Sequence, residues 1–426
     1  MRPAYHQPAH VGVGMISTYP PRKCGIATFA RDLATALRAL PSPSPVQVAA
    51  INGSGESYDY PPEVNAQLDE TDPGSYVAAA EWFNRAPGVD VVSVQHDFGK
   101  FGVWRDGFEA DYLLPMLAAL RKPVVVTLHS VPQTPNALMQ RTMQAASRHA
   151  DALVVMARAA RAILRDAYQF DDAAIARVVQ LPHGVPMAAS LLRMAPIARR
   201  AIGVSGGPVL STFGLLSDGK GIETAIRALP DLVERYPDLL YLVVGQTHPE
   251  VRKREGERYR EGLVELCRAL GVARHVRFVD RYLTEEEIFN HLAASDVYVT
   301  PSRADDQITS GTLAFALAAG KAIVSTPYRY ARELLADDRG VLTDFDDPNA
   351  LAHAVGALLD DPGRRHRIEG QAARHGQGMT WPIVAARYQL LFHIASGKAM
   401  ASPSNTIAGR QPLLRAVAPA GASGGI

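Results

Sequence analysis

Lys220 stands between two glycines in the run Gly214-Leu215-Leu216-Ser217-Asp218-Gly219-Lys220-Gly221, after an apolar strand pattern at 208–213 and before a helical one at 222–229. Glycine lets backbone approach a ligand, and a helix start leaves N–H groups unpaired, so an ammonium placed there can face a phosphate. Gly214, Gly219 and Lys220 have the spacing of a P-loop, but Gly221 takes the place of the magnesium-binding Ser or Thr, and a true P-loop is rejected. A solvated lysine in a turn is the plain alternative. A second anion-facing mouth is expected at Ser310-Gly311-Thr312. These small residues lead into a run of strong helix formers, 313–319, that Gly320 stops. Strand patterns at 296–300 and 322–326 flank them, which makes a βαβ unit. The bland view of that unit is a crossover whose small residues only permit close packing.

Three predicted strands end in a histidine: Gln95-His96-Asp97, Leu128-His129-Ser130 and Pro182-His183-Gly184. Ligands of open α/β sheets bind at the carboxyl ends of strands, and polar contacts to a sugar suit imidazoles placed there. A zinc site is the rival reading, but the spacing matches no metal signature. A Pro-Pro loop ending in Gly25 precedes a helical pattern carried by Ile26, Phe29, Leu33 and Leu37, again a place where backbone can meet a ligand. Cys24, beside Arg22 and Lys23, reads as a small loop residue, with an activated thiol as the alternative. Asp344-Phe345-Asp346 has the spacing of a sugar-transferase metal pair. Asp347-Pro348 follows it, so a helix N-cap with proline in the first turn is the better reading.

The elements that must hold these residues alternate throughout. Strands are predicted at 11–17, 46–51, 91–95, 123–128, 152–156 and 177–181, then at 241–245, 276–279, 297–300, 322–325 and 340–342, with helical patterns between most of them. That is the signature of α/β architecture with doubly wound parallel sheets. At 426 residues two domains are expected, 1–190 and 191–380, joined by a linker at 187–203 that carries no strand signal. A last helix at 381–397 is expected to pack back across both domains, and the Ser/Pro/Ala/Gly-rich tail 398–426 to be disordered. Apolar content of 47% with 20% charged residues describes a globular chain, and a net charge of +1 gives no electrostatic case for nucleic acid. Two cysteines, no span-length apolar run and an opening stretch without a signal peptide's apolar core lead us to expect a cytoplasmic protein. Residues 252–271 interleave Lys and Arg with Glu and read as one solvated amphipathic helix. An anionic membrane surface is the second reading, and with it a peripheral place at the inner membrane face.

Taken in order, these landmarks resemble the retaining glycosyltransferases of family 4, of GT-B architecture: two Rossmann-like domains facing across a cleft. The likeness runs from Val11 to about Gly397. It rests on 21–25, the His129 strand end, Pro182-His183-Gly184-Val185, 214–221, Val243-Val244-Gly245 with Pro249, 294–302, and 315–324, which mirrors the family's EAMAxGxPVV. The resemblance implies a nucleotide-sugar donor held mainly by the second domain, a glycan or glycolipid acceptor entering from the first, retention by front-face attack, and domain closure on binding. It makes His129, Lys220 and Asp306 the catalytic candidates. Donor contacts fall to Gly25, His183, Gly214, Lys220, Gly245, Arg303, Gln307, Ser310, Gly311, Thr312 and Phe315. No metal and no cofactor beyond the donor is expected.

Two departures stand out. The family's paired glutamates fall at Gln307 and Phe315, with Asp306 a stand-in for the first. An aromatic at the second is similar to glycogen and starch synthases, which makes Phe315 a candidate for packing the base or ribose. Leu215 replaces the phosphate-loop arginine, and Arg303 is the candidate second cation. A lysine ~4 Å from a phosphate contributes about 4 kcal/mol at an effective dielectric of ~20, against up to ~2 kcal/mol from a helix mouth, so Lys220 is expected to dominate. A transfer-incompetent sugar- or nucleotide-binding protein is the alternative of a different class. A phosphorylase or epimerase is a third reading, and the phosphorylase would need a cofactor lysine that no motif supplies.

Overall fold

The computed structural model describes residues 10–105, 108–188 and 194–398. The described residues divide into two compact units, one comprising those up to Gly184 together with those from Trp381 onward, the other those of Val185–Thr380. Beyond Lys398 the predicted disordered tail lies outside the described residues.

The first unit holds β1 (Val13–Ser17), β2 (Val46–Asn52), β3 (Val64–Asp69), β4 (Val91–His96), a hairpin of β5 (Gly102–Arg105) and β6 (Phe108–Asp111), then β7 (Val124–Leu128), β8 (Ala152–Val155) and β9 (Val178–Gln180). Seven of these form one sheet in the order β3-β2-β1-β4-β7-β8-β9, every pairing parallel. β4, β7 and β8 are buried along their whole length, as strands covered on both faces must be, which is why β7 and β8 are nearly continuous in Val and Leu. The order reverses between β1 and β4, so their carboxyl ends flank the switch-point crevice. Gly14 sits where the helix Pro73–Arg85 presses on β1, since a Cβ there would lie 2.6 Å from the Phe83 ring. The strand β3 went unpredicted because VNAQLD buries only Leu68 and shows no apolar run.

The helix Trp381–Ser396 belongs to this unit. Its Tyr388 hydroxyl meets Thr127 Oγ1 at 3.1 Å, and Gln389 donates to Ser42 O at 2.6 Å and Ser44 Oγ at 3.0 Å.

The second unit orders β10 (Val209–Phe213), β11 (Leu240–Val244), β12 (Val276–Val279), β13 (Val297–Thr300), β14 (Ala322–Ser325) and β15 (Val341–Leu342) as β12-β11-β10-β13-β14-β15, again all parallel. Its switch point lies between β10 and β13. Two local expectations change. Part of the predicted linker is the helix Ala195–Ala201, anchored where Arg199 donates to Ala294 O at 3.0 Å and pairs with Asp296 at 2.5 Å; residues 189–193 of that stretch lie outside the described residues. The basic stretch is two helices, Pro249–Glu255 and Arg258–Ala269, because Gly256 at φ +66° breaks it. Its cations are paired along the surface, Arg252 with Glu257 and Lys253 with Glu250 among them.

Candidate active site

At the strand ends of the second unit, three backbone segments converge on bare glycine. Gly214 (φ +136°) ends β10 and Gly245 (φ +133°) ends β11. An added Cβ on Gly245 would come 2.0 Å from the Gly214 carbonyl oxygen, and one on Gly214 would come 3.1 Å from Thr312 Cγ2. The loops after β10 and β11 thus lie against each other, with Gly214 facing the mouth of the helix Gly311–Ala318. Ser310 caps that helix, its Oγ accepting from Leu313 N at 3.3 Å. The amides of Gly311 and Thr312 find no partner among the described residues, so the mouth keeps two free donors beside a glycine floor.

Lys220 closes a short 3-10 turn, Asp218–Lys220, and Gly221 then adopts a left-handed conformation (φ 60°, ψ 27°) to start the helix Ile222–Arg227. That turn is tied to the segment leading to the helix mouth. Gly219 O accepts from Arg303 N at 3.0 Å and from Ser302 Oγ at 3.2 Å, and a Cβ on Gly221 would lie 2.0 Å from Pro301 O. Lys220 is half-buried and has no ion pair or side-chain hydrogen bond among the described residues. Burial alone acts on its ammonium and holds its pKa below the ordinary lysine value. A desolvated cation without a counter-ion is held ready for an anion.

The remaining candidates of this unit divide. Arg303 is not a free second cation. Its Nε donates to Asp346 Oδ1 at 2.8 Å and Nη1 lies 3.7 Å from Glu223, so Leu215 is not compensated from here in this arrangement. Asp346 is held low by that guanidinium, and the helix Pro348–Asp360 is capped by Asp347, as the Asp-Pro pattern implied. Gln307 turns its amide into its own loop, donating to Thr309 O at 2.6 Å. Asp306 is half-buried in the adjacent turn. Phe315 is 7% exposed, with Phe289 at 5.9 Å and Phe213 at 6.4 Å between ring centroids, so it is a core wall behind the site, not an open plate for a base. The helix places it one turn past the mouth, and spacing alone could not say which way it faces.

The first unit gathers its histidines. His129 Nε2 lies 3.0 Å from Gln95 Oε1, and His183 Nδ1 lies 2.7 Å from Gly184 O. Phe29 makes edge-to-face contacts with both, with centroids at 4.9 and 5.2 Å, and with Trp381 at 5.1 Å. Burial pushes His129 down to about 3, with His183 and His96 adding to it, and pushes His183 down to about 4, so both are neutral at physiological pH. His96 is wholly buried and pairs with Asp111 at 3.2 Å. Each imidazole has a partner of its own, and among the described residues no group of three or more His, Cys, Asp or Glu could hold a metal ion. Gly25 opens the helix Gly25–Arg38 with nothing within 4 Å of an added Cβ, and the amides of Gly25, Ile26 and Ala27 have no partner among the described residues.

Some neighbours escaped the sequence reading. Gln95 was the visible one, a buried amide inside VVSVQH. Arg22 is buried and bound to Glu70 at 2.6 Å and to Ile51 O at 3.0 Å, a pairing over 48 residues that no local pattern announces.

The profile of the family described as "Glycosyl transferases group 1" matches residues 197–375. Residues 197–375 are thus similar to a group 1 glycosyltransferase domain, and the two parallel-sheet units have the GT-B fold. Over 247 residues it is 30% identical to a D-inositol 3-phosphate glycosyltransferase of Corynebacterium urealyticum, covering 57% of each chain. Over 189 residues it is 34% identical to a GDP-mannose-dependent alpha-(1-6)-phosphatidylinositol monomannoside mannosyltransferase of Mycolicibacterium smegmatis, 43% of this chain and 46% of that one. The chain spans about half the length of the curated relatives it matches. In fold it is similar to a sucrose-phosphate synthase of Thermosynechococcus elongatus (TM-score 0.73, 17% identity, 92% of this chain and 100% of that one). It is also similar to HepE of Anabaena, solved in complex with UDP (TM-score 0.70, 16% identity, 89% and 98%). Among the described residues no helix is long and apolar enough to cross a membrane.

Proposed function

We propose that this protein is a retaining hexosyltransferase that moves a sugar from a nucleoside-diphosphate donor to a hydroxyl of a glycan or glycolipid, as a step of polysaccharide or glycolipid synthesis. The observation that carries this reading is the partly desolvated Lys220, without an ion-pair partner among the described residues, on a turn tied to the segment that leads to the helix mouth at Ser310. The departing diphosphate gathers negative charge as the glycosidic bond breaks, and a preorganised cation with free amides is worth most at that moment. Lys220 and the amides of Gly311 and Thr312 take that charge, with no divalent ion required. Neutral His129 supplies a polar contact to a sugar hydroxyl and is not a nucleophile. In front-face attack the acceptor hydroxyl gives its proton to the departing phosphate oxygen, so no side-chain base is needed and the loss of both motif glutamates is tolerated. The named relatives are transferases, which supports transfer over mere binding.

Isothermal titration of UDP, GDP and ADP, followed by transfer assays with their hexose conjugates in EDTA, tests the reading. Binding of one diphosphate in the micromolar range and EDTA-resistant transfer are expected. Binding without transfer across a broad acceptor panel would decide for the non-catalytic alternative.

A further inference from the structure

We propose that Gln95 is a positioning residue for the transfer: its amide oxygen accepts a hydrogen bond from His129 Nε2–H and so leaves His129 Nδ1 as a hydrogen-bond acceptor for a ligand hydroxyl. The inference deepens the transferase reading and rests on it. Ser93 and Gln95 are two apart on β4 and share one face of the sheet. Gln95 pairs in register with Thr127 on β7, which puts His129, two residues further on, over the same face. His129 N donates to His96 O at 2.9 Å, which extends the β4–β7 pairing and fixes the backbone beneath the ring.

Gln95 is fully buried, and its Nε2 lies 3.0 Å from Ser93 Oγ. With the amide nitrogen spent there, the group facing His129 is a carbonyl oxygen, which can only accept. The proton therefore sits on His129 Nε2. Nδ1 is left with its lone pair and has no partner among the described residues. The titratable groups felt at His129 are His183 and His96; Phe29 supplies only an uncharged ring, and the neighbouring Ser130 hydroxyl is bound to Asp97. An apolar residue would fill this strand position without any polar group to satisfy, so the buried amide calls for a purpose. A bare acceptor gives it one. The sugar ring becomes electron-poor as the diphosphate leaves, and an imidazole edge carrying a proton would oppose that charge.

Long-range proton–nitrogen correlation spectra of the full chain, labelled with 15N-histidine, read the tautomer without reference to activity. The Nε2-protonated form is expected, unchanged from pH 8 down to pH 5. In Gln95→Glu a carboxylate replaces the amide, so His129 should titrate between pH 5 and 8. Transfer kcat should then fall at least tenfold below that titration and recover above it, with the donor KM changed less than threefold. A wild-type spectrum with the proton on Nδ1, the amide reversed and Ser93 donating to it, overturns the proposal. So does a Gln95→Glu protein with an unshifted His129 and a flat pH profile. Should that variant fail to fold, the wild-type spectrum still decides. A wild type that shows the expected tautomer but transfers nothing from any donor sinks the transferase reading instead.

Discussion

The two switch-point edges answer the same architectural problem with opposite chemistry. In the first unit the edge is neutral: imidazoles held uncharged by burial, aromatic edges, and an arginine, Arg22, cancelled by Glu70. In the second the Lys220 ammonium has no counter-ion among the described residues, while its neighbour Arg303 is already engaged by Asp346. Neutral donors and acceptors sort hydroxyls; an unpaired cation attracts phosphate. Under the proposed function, sugar falls to one kind of edge and diphosphate to the other, and that division can be attacked from either side.

The most damaging test is Lys220→Met, which keeps the stem and removes the charge. Using ~4 kcal/mol for a cation ~4 Å from the diphosphate, kcat/KM for transfer should drop by about a thousandfold. Diphosphate affinity by titration should fall with it, and the melting temperature should hold or rise, since an uncompensated cation leaves a desolvated place. Equal turnover in this variant would remove the asymmetry between the edges.

Next in size is Gly221→Ala. The left-handed backbone costs about 1–2 kcal/mol with a side chain, and a Cβ 2.0 Å from the Pro301 carbonyl adds strain, for a total of about 2–4 kcal/mol. Denaturant unfolding should show that loss, and nucleotide binding should weaken because the turn bearing Lys220 must move. Gly25→Ala is the control in the other unit. With open space around its Cβ, it should cost under 1 kcal/mol.

The same pair of glycines shows what was legible beforehand. Both were singled out because each sits in a loop before a helix, and the strand–helix alternation gave both sheets apart from the polar edge strand β3. The direction of side chains was not legible. Spacing could not tell that Phe315 turns inward between Phe213 and Phe289, nor that Arg303 reaches Asp346, 43 residues away. Such pairings are set by tertiary packing, and a one-dimensional pattern carries them only where, as with Gln95, a polar residue interrupts a buried strand.

Acid should attack the first edge. His129 and His183 are pushed down to about 3 and about 4, against 6.5 in a free side chain. Below pH 6.5 the unfolded chain binds protons that the folded one refuses, so stability is full above that pH and falls as pH drops toward 4. Each histidine contributes a slope of up to about 1.4 kcal/mol per pH unit. Urea midpoints between pH 4 and 7 measure it. Replacing His183 by Asn should make the curve visibly shallower; an unchanged curve would mean that the imidazoles are not the neutral pair the first edge requires.

The smallest effect separates capping from binding at the second edge. Ser310 Oγ is turned to Leu313 N and to Thr312 Oγ1, at 3.3 and 3.2 Å, so it stabilises the helix and does not itself reach for a ligand. Ser310→Ala should therefore cost about 1 kcal/mol of stability, the usual worth of an N-cap, and lower the melting temperature of this unit by roughly 2–4 °C. The diphosphate contacts assigned to the mouth are the amides of Gly311 and Thr312, which the substitution leaves in place, so affinity should change by less than about threefold. A tenfold loss of affinity with an unchanged melting temperature would reverse the assignment: the hydroxyl would be a phosphate ligand, and Lys220 would have to share the charge with a side chain in place of a backbone.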